Sequence, residues 1–286
     1  MPELPEVESV RAQLEPAVLG RAVTGVRSSM PGFVRGDASP KALLAGASIA
    51  SVERRGKQIA ITGDSGRAIV IHLGMTGQIL LLENQAAVRG FDHTHVVWRL
   101  GGDGPARLVF RDPRRFGGVW TYPSREDLVR DSWGKLGPEA TTVRAEALAA
   151  ILSRSRQPVK ALLLDQSRIA GIGNIYADEA CAKAGVNPHT PAREVHRAPE
   201  LAKAIRQVLR AAIKAGGSSM RDYKQPSGSL GSFQNNHRVY GRGGEPCMSC
   251  GTRLEQTQVA QRTTVWCPAC QPAPDALSTS ADADLS

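Results

Sequence analysis

Residues 94–122 read THVVWRLGGDGPARLVFRDPRRFGGVWTY. Three apolar segments, THVVWRL, ARLVF and GGVWTY, are split by turn-forming residues, and GGDGP between the first two is a hairpin signal. The pattern extends upstream through RAIVIHL and GQILLL, so residues 22–122 predict an all-β region of five or more strands, folded as a sandwich. Further upstream, Val7, Val10, Leu14 and Val18 recur at helical spacing, with Pro5 in the first turn and Gly20 at the end. Downstream, from about residue 125 to 220, the period becomes helical in AEALAAILS, VKALLLD, NIYADEACAKAG and ELAKAIRQVLRAAIKAGG. The β-to-α switch near residue 130 marks a domain boundary. The expected divisions are 1–130, a β domain; 131–236, a helical domain ending in the Gly/Ser-rich loop 222–236; 237–271, a metal-binding finger; and 272–286, a small polar tail expected to be disordered. The fold class is α+β.

The chain has 286 residues, a formal net charge of +9 and a sequence pI of about 9.7. Hydrophobic content of 41% is globular rather than disordered, and no apolar run nears the roughly 20 residues of a membrane span. The N-terminal MPELPEVE is acidic and does not resemble a signal peptide, so a soluble, cytoplasmic protein is expected. The basic balance favours a polyanionic partner, chiefly nucleic acid.

Cys247-x2-Cys250 and Cys267-x2-Cys270 are separated by 16 residues. Each pair places two thiolates within reach of one tetrahedral ion, and a hairpin brings the pairs together. Four sulfurs leave no open position, so one structural Zn²⁺ is expected rather than a catalytic metal; free thiols or a redox pair are the other reading. The finger hairpin carries Arg253 and Arg262, with Arg262 nearer its exposed end. Cys181 reads as an ordinary buried residue. His93 and His95 have metal-like spacing but no third ligand.

In KALLLDQSRIAGIGNIYADEA, an apolar helix ends near Asp165, a turn with Gly171 and Gly173 follows, and Asn174 is expected to cap the next helix. That helix start suits a phosphate, or is simply a well-capped connection between two helices. At the N-terminus, removal of Met1 would expose the amine of Pro2. An α-amine has a pKa near 7.7–8.0 against about 10.4 for lysine, so far more of it is neutral at pH 7 and nucleophilic. Glu3 beside it could move a proton, and Glu6 lies one helical turn on. The same residues also suit a plain proline-initiated helix with acids matched to its dipole.

Taken in order, MPELPEVE, RRGK at 54–57, HLGM at 72–75, DPRRFG at 112–117, GIGNIYADE at 171–179, VYGRGGEPC at 239–247 and the four-cysteine finger resemble the bacterial formamidopyrimidine-DNA glycosylases. The resemblance covers residues 2–270. It implies an N-terminal two-sheet antiparallel β-sandwich with flanking helices, and a C-terminal helix–two-turn–helix domain with a zinc finger. It implies excision of oxidised purines from double-stranded DNA by a monomer associated with the nucleoid, with strand cleavage through an imine on Pro2. On that resemblance the catalytic set is Pro2, Glu3, Lys57 and Arg262, supported by Glu6. His93, Arg115 and Asn174 are phosphate contacts; Met75, Arg114 and Phe116 enter the duplex where the damaged base leaves; Cys247, Cys250, Cys267 and Cys270 hold the metal. Taken in isolation, Lys57 reads as a solvated turn lysine, and Met75 and Phe116 as core positions. Leu4 and the 222–236 loop look like the purine-directed group; the alternatives are the endonuclease VIII type, directed at oxidised pyrimidines, and a non-catalytic damaged-DNA-binding module.

Overall fold

The computed structural model describes residues 2–30, 32–84, 88, 90–218 and 231–273. It divides into two compact units, Met1–Lys135 with Ile213–Gln234, and Leu136–Ala212 with Asn235–Ser286.

In the first unit, α1 (Leu4–Val18) leads into β1 (Val23–Ser28), β2 (Val34–Arg35), β3 (Ile49–Arg55), β4 (Gln58–Gly63), β5 (Ala68–His72), β6 (Gln78–Leu82), β7 (Thr94–Leu100), β8 (Arg107–Arg111) and β9 (Gly118–Tyr122), followed by α2 (Arg125–Asp131). One sheet has the order β1-β7-β8-β6 and the other β2-β9-β5-β4-β3. The β7–β8 hairpin falls where GGDGP predicts it, with Gly102 and Gly104 in the left-handed region at φ 74° and 94°. Every pairing in the two sheets is antiparallel except β2 beside β9. Hairpins force antiparallel neighbours. The two-residue β2 joins an edge far from β9 in sequence, so no hairpin sets its direction.

The core forms where alternate residues of both sheets meet: Ile59, Ile61, Ile69, Ile71 and Val119 pack in one buried cluster with Ile79, Val96, Trp98, Leu108 and Phe110. Val7, Val10, Leu14 and Val18 of α1 join that cluster, one apolar stripe of a helix. Trp98 keeps its indole N–H paired, donating to the Leu43 carbonyl at 3.0 Å.

The second unit holds α3 (Ala145–Leu152), α4 (Val159–Leu164), α5 (Asn174–Ala184), most of α6 (Ala198–Lys214), and the hairpin of β10 (Glu255–Val259) and β11 (Arg262–Trp266). Residues 213–234 group with the first unit, whereas helical periodicity alone assigns them to the helical domain. One tie is polar: Ser218 donates its backbone N–H to Glu6 Oε1 at 2.7 Å, while Phe233 N–H donates to the Gly217 carbonyl at 3.0 Å within the segment itself. Most of the 222–236 loop lies outside the described residues, as does the tail from 274. Among the described residues no helix is long and apolar enough to cross a membrane.

Candidate active site and metal centre

The N-terminal residues form a buried polar corner. Pro5 sits in the first turn of α1, where its missing N–H costs nothing. Glu3 and Glu6 are each only 2% exposed, and Pro2 is buried beside them. Glu6 spends its two oxygens on backbone donors: Oε2 accepts from Glu3 N–H at 2.8 Å and Oε1 from Ser218 N–H at 2.7 Å. Gly217 has φ 82°, and a Cβ there would stand 2.7 Å from the Glu6 carboxylate, so the chain passes close only because this residue is glycine. Glu6 thus ties two distant segments together, and Glu3 is the carboxylate adjacent to Pro2. Met1 lies outside the described residues.

Lys57 follows Gly56 in the two-residue turn between β3 and β4, where Arg55 pairs with Gln58. It is 8% exposed, which corrects the solvated-turn reading of RRGK. Arg54 is likewise engaged, 2.7 Å from Glu8. The turn folds against the end of β5, because Gln58 pairs with His72. His72 is half-buried and its Nδ1 accepts from Gly74 N–H at 3.2 Å. Burial, with the charges of Lys57 and Arg35, holds its pKa below the ordinary histidine value against the opposing pull of Asp112. Because Nδ1 accepts from Gly74 N–H, the ring proton sits on Nε2, which is the donor.

The turns carrying Met75 and Phe116 are locked together by Asp112, which is fully buried. Its carboxylate accepts from Thr76 Oγ1 and from Gly117 N–H at 2.8 Å, and its carbonyl meets His95 Nε2 at 2.9 Å. A Cβ at Gly74 would collide with the Phe116–Gly117 peptide, so glycine permits this close approach. From that anchor Arg114, Arg115 and Phe116 project outward; Phe116 is 54% exposed and Met75 half-buried, so neither is a core position. The Arg114 guanidinium carbon sits 4.7 Å from the Phe116 ring centre. His93 and Arg115 both take left-handed backbones, at φ 61° and 58°. Such strain persists where surroundings over-determine it, and here Asp112 N–H donates to the His93 carbonyl at 3.0 Å. His95 Nε2 is engaged with the Asp112 carbonyl, and among the described residues no group of three metal-ligating side chains includes His93 or His95.

In the second unit, the sequence expectation for Asn174 needs correction. Gly173 is the N-cap and Asn174 is the first helical residue of α5. From that position its side chain reaches sideways instead of back to the next amides, and Nδ2 donates to the Thr263 carbonyl at 3.1 Å. Its Oδ1 is buried without a hydrogen-bond partner among the described residues. Thr263 neighbours Arg262, which is exposed and opens β11 after the Ala260–Gln261 turn. Both turn residues have positive φ, 49° and 58°, as a two-residue hairpin of this hand requires. Beneath β11, Lys160 is fully buried, 2.7 Å from Asp178 and donating to the Thr263 carbonyl at 2.7 Å and to Thr264 Oγ1 at 2.8 Å. Burial pushes the Asp178 carboxyl up to about 7 despite that lysine. Glu179 accepts backbone N–H bonds from Arg238, Val239 and Tyr240 at 2.9–3.0 Å, holding the chain that enters the finger.

The Sγ atoms of Cys247, Cys250, Cys267 and Cys270 all lie within 4.8 Å of one another. Thiolates about 2.3 Å from a central ion must sit this close, so the set fits one tetrahedral zinc with every position filled by protein. Cys181 stands apart, its thiol pushed up to about 12 by burial and therefore inert. Sequence reasoning takes Met75 from HLGM and passes over His72, and it does not single out Arg35, Asp112, Lys160 or Glu179. HLGM, DPRRFG and GIGNIYADE contain His72, Asp112 and Glu179, and Lys160 opens KALLLDQSRIAGIGNIYADEA, but nothing local marks their partners; Arg35 lies in none of these motifs.

Residues 1–119 match the family model of the formamidopyrimidine-DNA glycosylase N-terminal domain, 136–224 that of the H2TH domain of the same enzymes, and 244–273 the zinc finger found in FPG and IleRS. The chain is 39% identical over 278 residues to the formamidopyrimidine-DNA glycosylase of Desulfitobacterium hafniense, covering 95% of this chain and 100% of that one. It is 43% identical over 277 residues to that of Chloroflexus aggregans, covering 95% and 98%. Its fold matches the crystal structure of the MutM (Fpg) protein of Thermus thermophilus at TM-score 0.84 and 40% identity, covering 95% and 99%. It also matches wild-type Lactococcus lactis Fpg, solved with a DNA containing N7-benzyl-Fapy-dG, at TM-score 0.85 and 33% identity, covering 95% and 100%. The chain belongs to the formamidopyrimidine-DNA glycosylase family: it is a DNA glycosylase of base-excision repair with one structural zinc site.

Proposed function

We propose that this glycosylase acts as a monomer on double-stranded DNA, removes 8-oxoguanine and formamidopyrimidines, and then cuts the strand by successive eliminations through Pro2. The observation that carries this reading is the buried corner of Pro2, Glu3 and Glu6, in which Glu6 is committed to two backbone amides and Glu3 adjoins the amine. With Met1 removed, the Pro2 nitrogen attacks the sugar C1′. The glycosidic bond breaks, the base leaves with a proton, and Glu3 protonates the opening ring oxygen. A secondary amine then yields a cationic iminium, an electron sink. Loss of a C2′ proton expels the 3′ phosphate, and a second elimination expels the 5′ phosphate. Lys57, His93, Arg115, Asn174 and Arg262 hold backbone phosphates. Met75 and Phe116 fill the space left by the extruded base, and Arg114, stacked on Phe116, donates to the orphaned cytosine. The exposure of Arg114 and Phe116 above a rigid anchor, with half-buried Met75 on the turn locked to theirs, supports that role, and the damaged DNA held by the Lactococcus lactis relative supports the partner.

Borohydride trapping tests the mechanism. On a duplex bearing 8-oxoguanine opposite cytosine, the adduct should map to residue 2. A chain that keeps Met1 should trap nothing, and Lys57→Ala should still trap on a preformed abasic site. An adduct on Lys57 would overturn the assignment, and faster excision of thymine glycol than of 8-oxoguanine would move the specificity to the endonuclease VIII type.

A further inference from the structure

Arg35 ends the edge strand β2 and is exposed, with no ion pair among the described residues. Its guanidinium carbon stacks 4.3 Å from the Trp120 ring centre, and Trp120 is its register partner on β9. The guanidinium also lies across Gly118, where a Cβ would strike Arg35 Nη1. Gly118 pairs directly with His72 on β5, and the His72 ring meets Trp120 edge-on at 6.5 Å. On the far side of His72 come its β4 partner Gln58 and then Lys57. One end of the five-stranded sheet therefore carries a row running Arg35, Trp120, His72, Lys57. The two cations flank the imidazole from opposite sides, and both act on its protonation, with Asp112 as the acid opposing them. Two cations and an N–H donor spaced along one sheet end form a track suited to anionic groups.

We propose that Arg35 is a further phosphate-binding residue, so that the row Arg35–His72–Lys57 seats the DNA backbone across the end of the five-stranded sheet. The proposal rests on the DNA-glycosylase reading above. Three inter-strand steps of about 4.8 Å make the row about 14 Å long. That length faces more than one phosphate of a strand charged about every 3.4 Å of duplex axis. Trp120 fixes the plane of the guanidinium, which a lysine could not reproduce. Gly118 leaves the space it crosses.

The test is equilibrium binding of the full-length, zinc-loaded protein to a duplex with a non-cleavable abasic analogue, across a salt series. Arg35→Ala should weaken binding roughly threefold to tenfold and flatten the slope of log K against log salt by about 0.9. Arg35→Gln, which keeps the bulk, should do the same, and Arg35→Lys should restore only part. Trp120→Leu should reproduce part of the loss. Arg27→Ala, on the other sheet, should change nothing. Methylphosphonates placed one at a time on the lesion strand should reveal a position that costs affinity in the wild type and not in Arg35→Ala. If Arg35→Ala and Arg35→Gln keep the affinity and slope while Lys57→Ala weakens binding, the DNA reading stands and the role of Arg35 falls. If the wild type does not bind the duplex, both fall.

Discussion

In the N-terminal unit, the exposed Phe116 turn hangs from one buried carboxylate, Asp112, beside an apolar core that runs from Val7 on α1 through Ile59, Ile69, Trp98 and Phe110. In the C-terminal unit, the exposed Arg262 turn stands on a finger whose own buried cluster is Val239, Leu254, Val265 and Cys267. A large core supplies rigidity, and a few hydrogen bonds then aim a turn. A core of four residues cannot do this, because too little apolar surface leaves water to offset the lost chain entropy. The finger substitutes a metal and two buried carboxylates: Asp178 with Lys160 under β11, and Glu179 on the amides of 238–240. Both units present cations and donors on short exposed turns, but one depends on packing and the other on ionic and coordinate bonds.

The largest expected effect follows from removing the metal. Structural zinc contributes apparent energies of about 10–16 kcal/mol in finger peptides at neutral pH. Cys250→Ser should therefore release zinc and abolish hydrogen-exchange protection across 255–266, while β4 and β5 stay protected. Retained protection in the zinc-free protein would break the contrast between the units.

Next comes the buried pair. Lys160→Met leaves Asp178 without its partner and should cost about 3–5 kcal/mol by denaturant unfolding. The double variant Lys160→Met, Asp178→Leu should recover most of that loss, and failure to recover would show that the pair does more than satisfy itself. The Asp178 carboxyl is raised from 3.8 to about 7, so the folded chain holds a proton that the unfolded chain has lost between those values. Its contribution to stability is full below pH 3.8 and declines as pH rises through about 7. Asp178→Asn should remove that slope from the stability profile of the C-terminal unit.

A smaller cost is expected at the anchor in the N-terminal unit. Asp112→Asn weakens charge-assisted bonds to Thr76 and Gly117, which should lower stability by about 2 kcal/mol and slow base excision. Unchanged excision would mean the turn does not need its anchor. Phe116→Ala comes last. At 54% exposure the ring contributes little to folding, so stability should shift by no more than about 0.5 kcal/mol. Excision should nonetheless slow, which would separate wedge function from stability; a large drop in melting temperature would return Phe116 to the core.

Much of the fold was legible because periods are local. RAIVIHL, GQILLL, THVVWRL, ARLVF and GGVWTY all became strands, and the four helical segments from AEALAAILS onward became helices. The short β2 and its parallel pairing were not legible, since two residues carry no period. At the candidate site, PELPE and the cysteine spacing were visible as chemistry. Lys57 was visible only as a charge: RRGK reads as a wet turn, and its burial depends on the facing end of β5. Asn174 was visible as a polar residue at a helix start, but whether it caps or reaches sideways depends on one residue of register and on where β11 lies.

The sequence by itself determined the β-to-α switch, the helix-forming N-terminus with its two acids, and the four-sulfur metal set. Each is written within a few residues, in the spacing of apolar side chains or of ligands. Tertiary structure alone decided which polar groups meet. Glu6 finds Ser218 across 212 positions, Asn174 finds Thr263 across 89, and His72 comes to lie between Lys57 and Arg35 through strand pairing. A hydrogen bond or an ion pair depends on distance and direction to a partner held by the packed core, and a partner that far along the chain leaves no period, composition or spacing in the sequence to announce it.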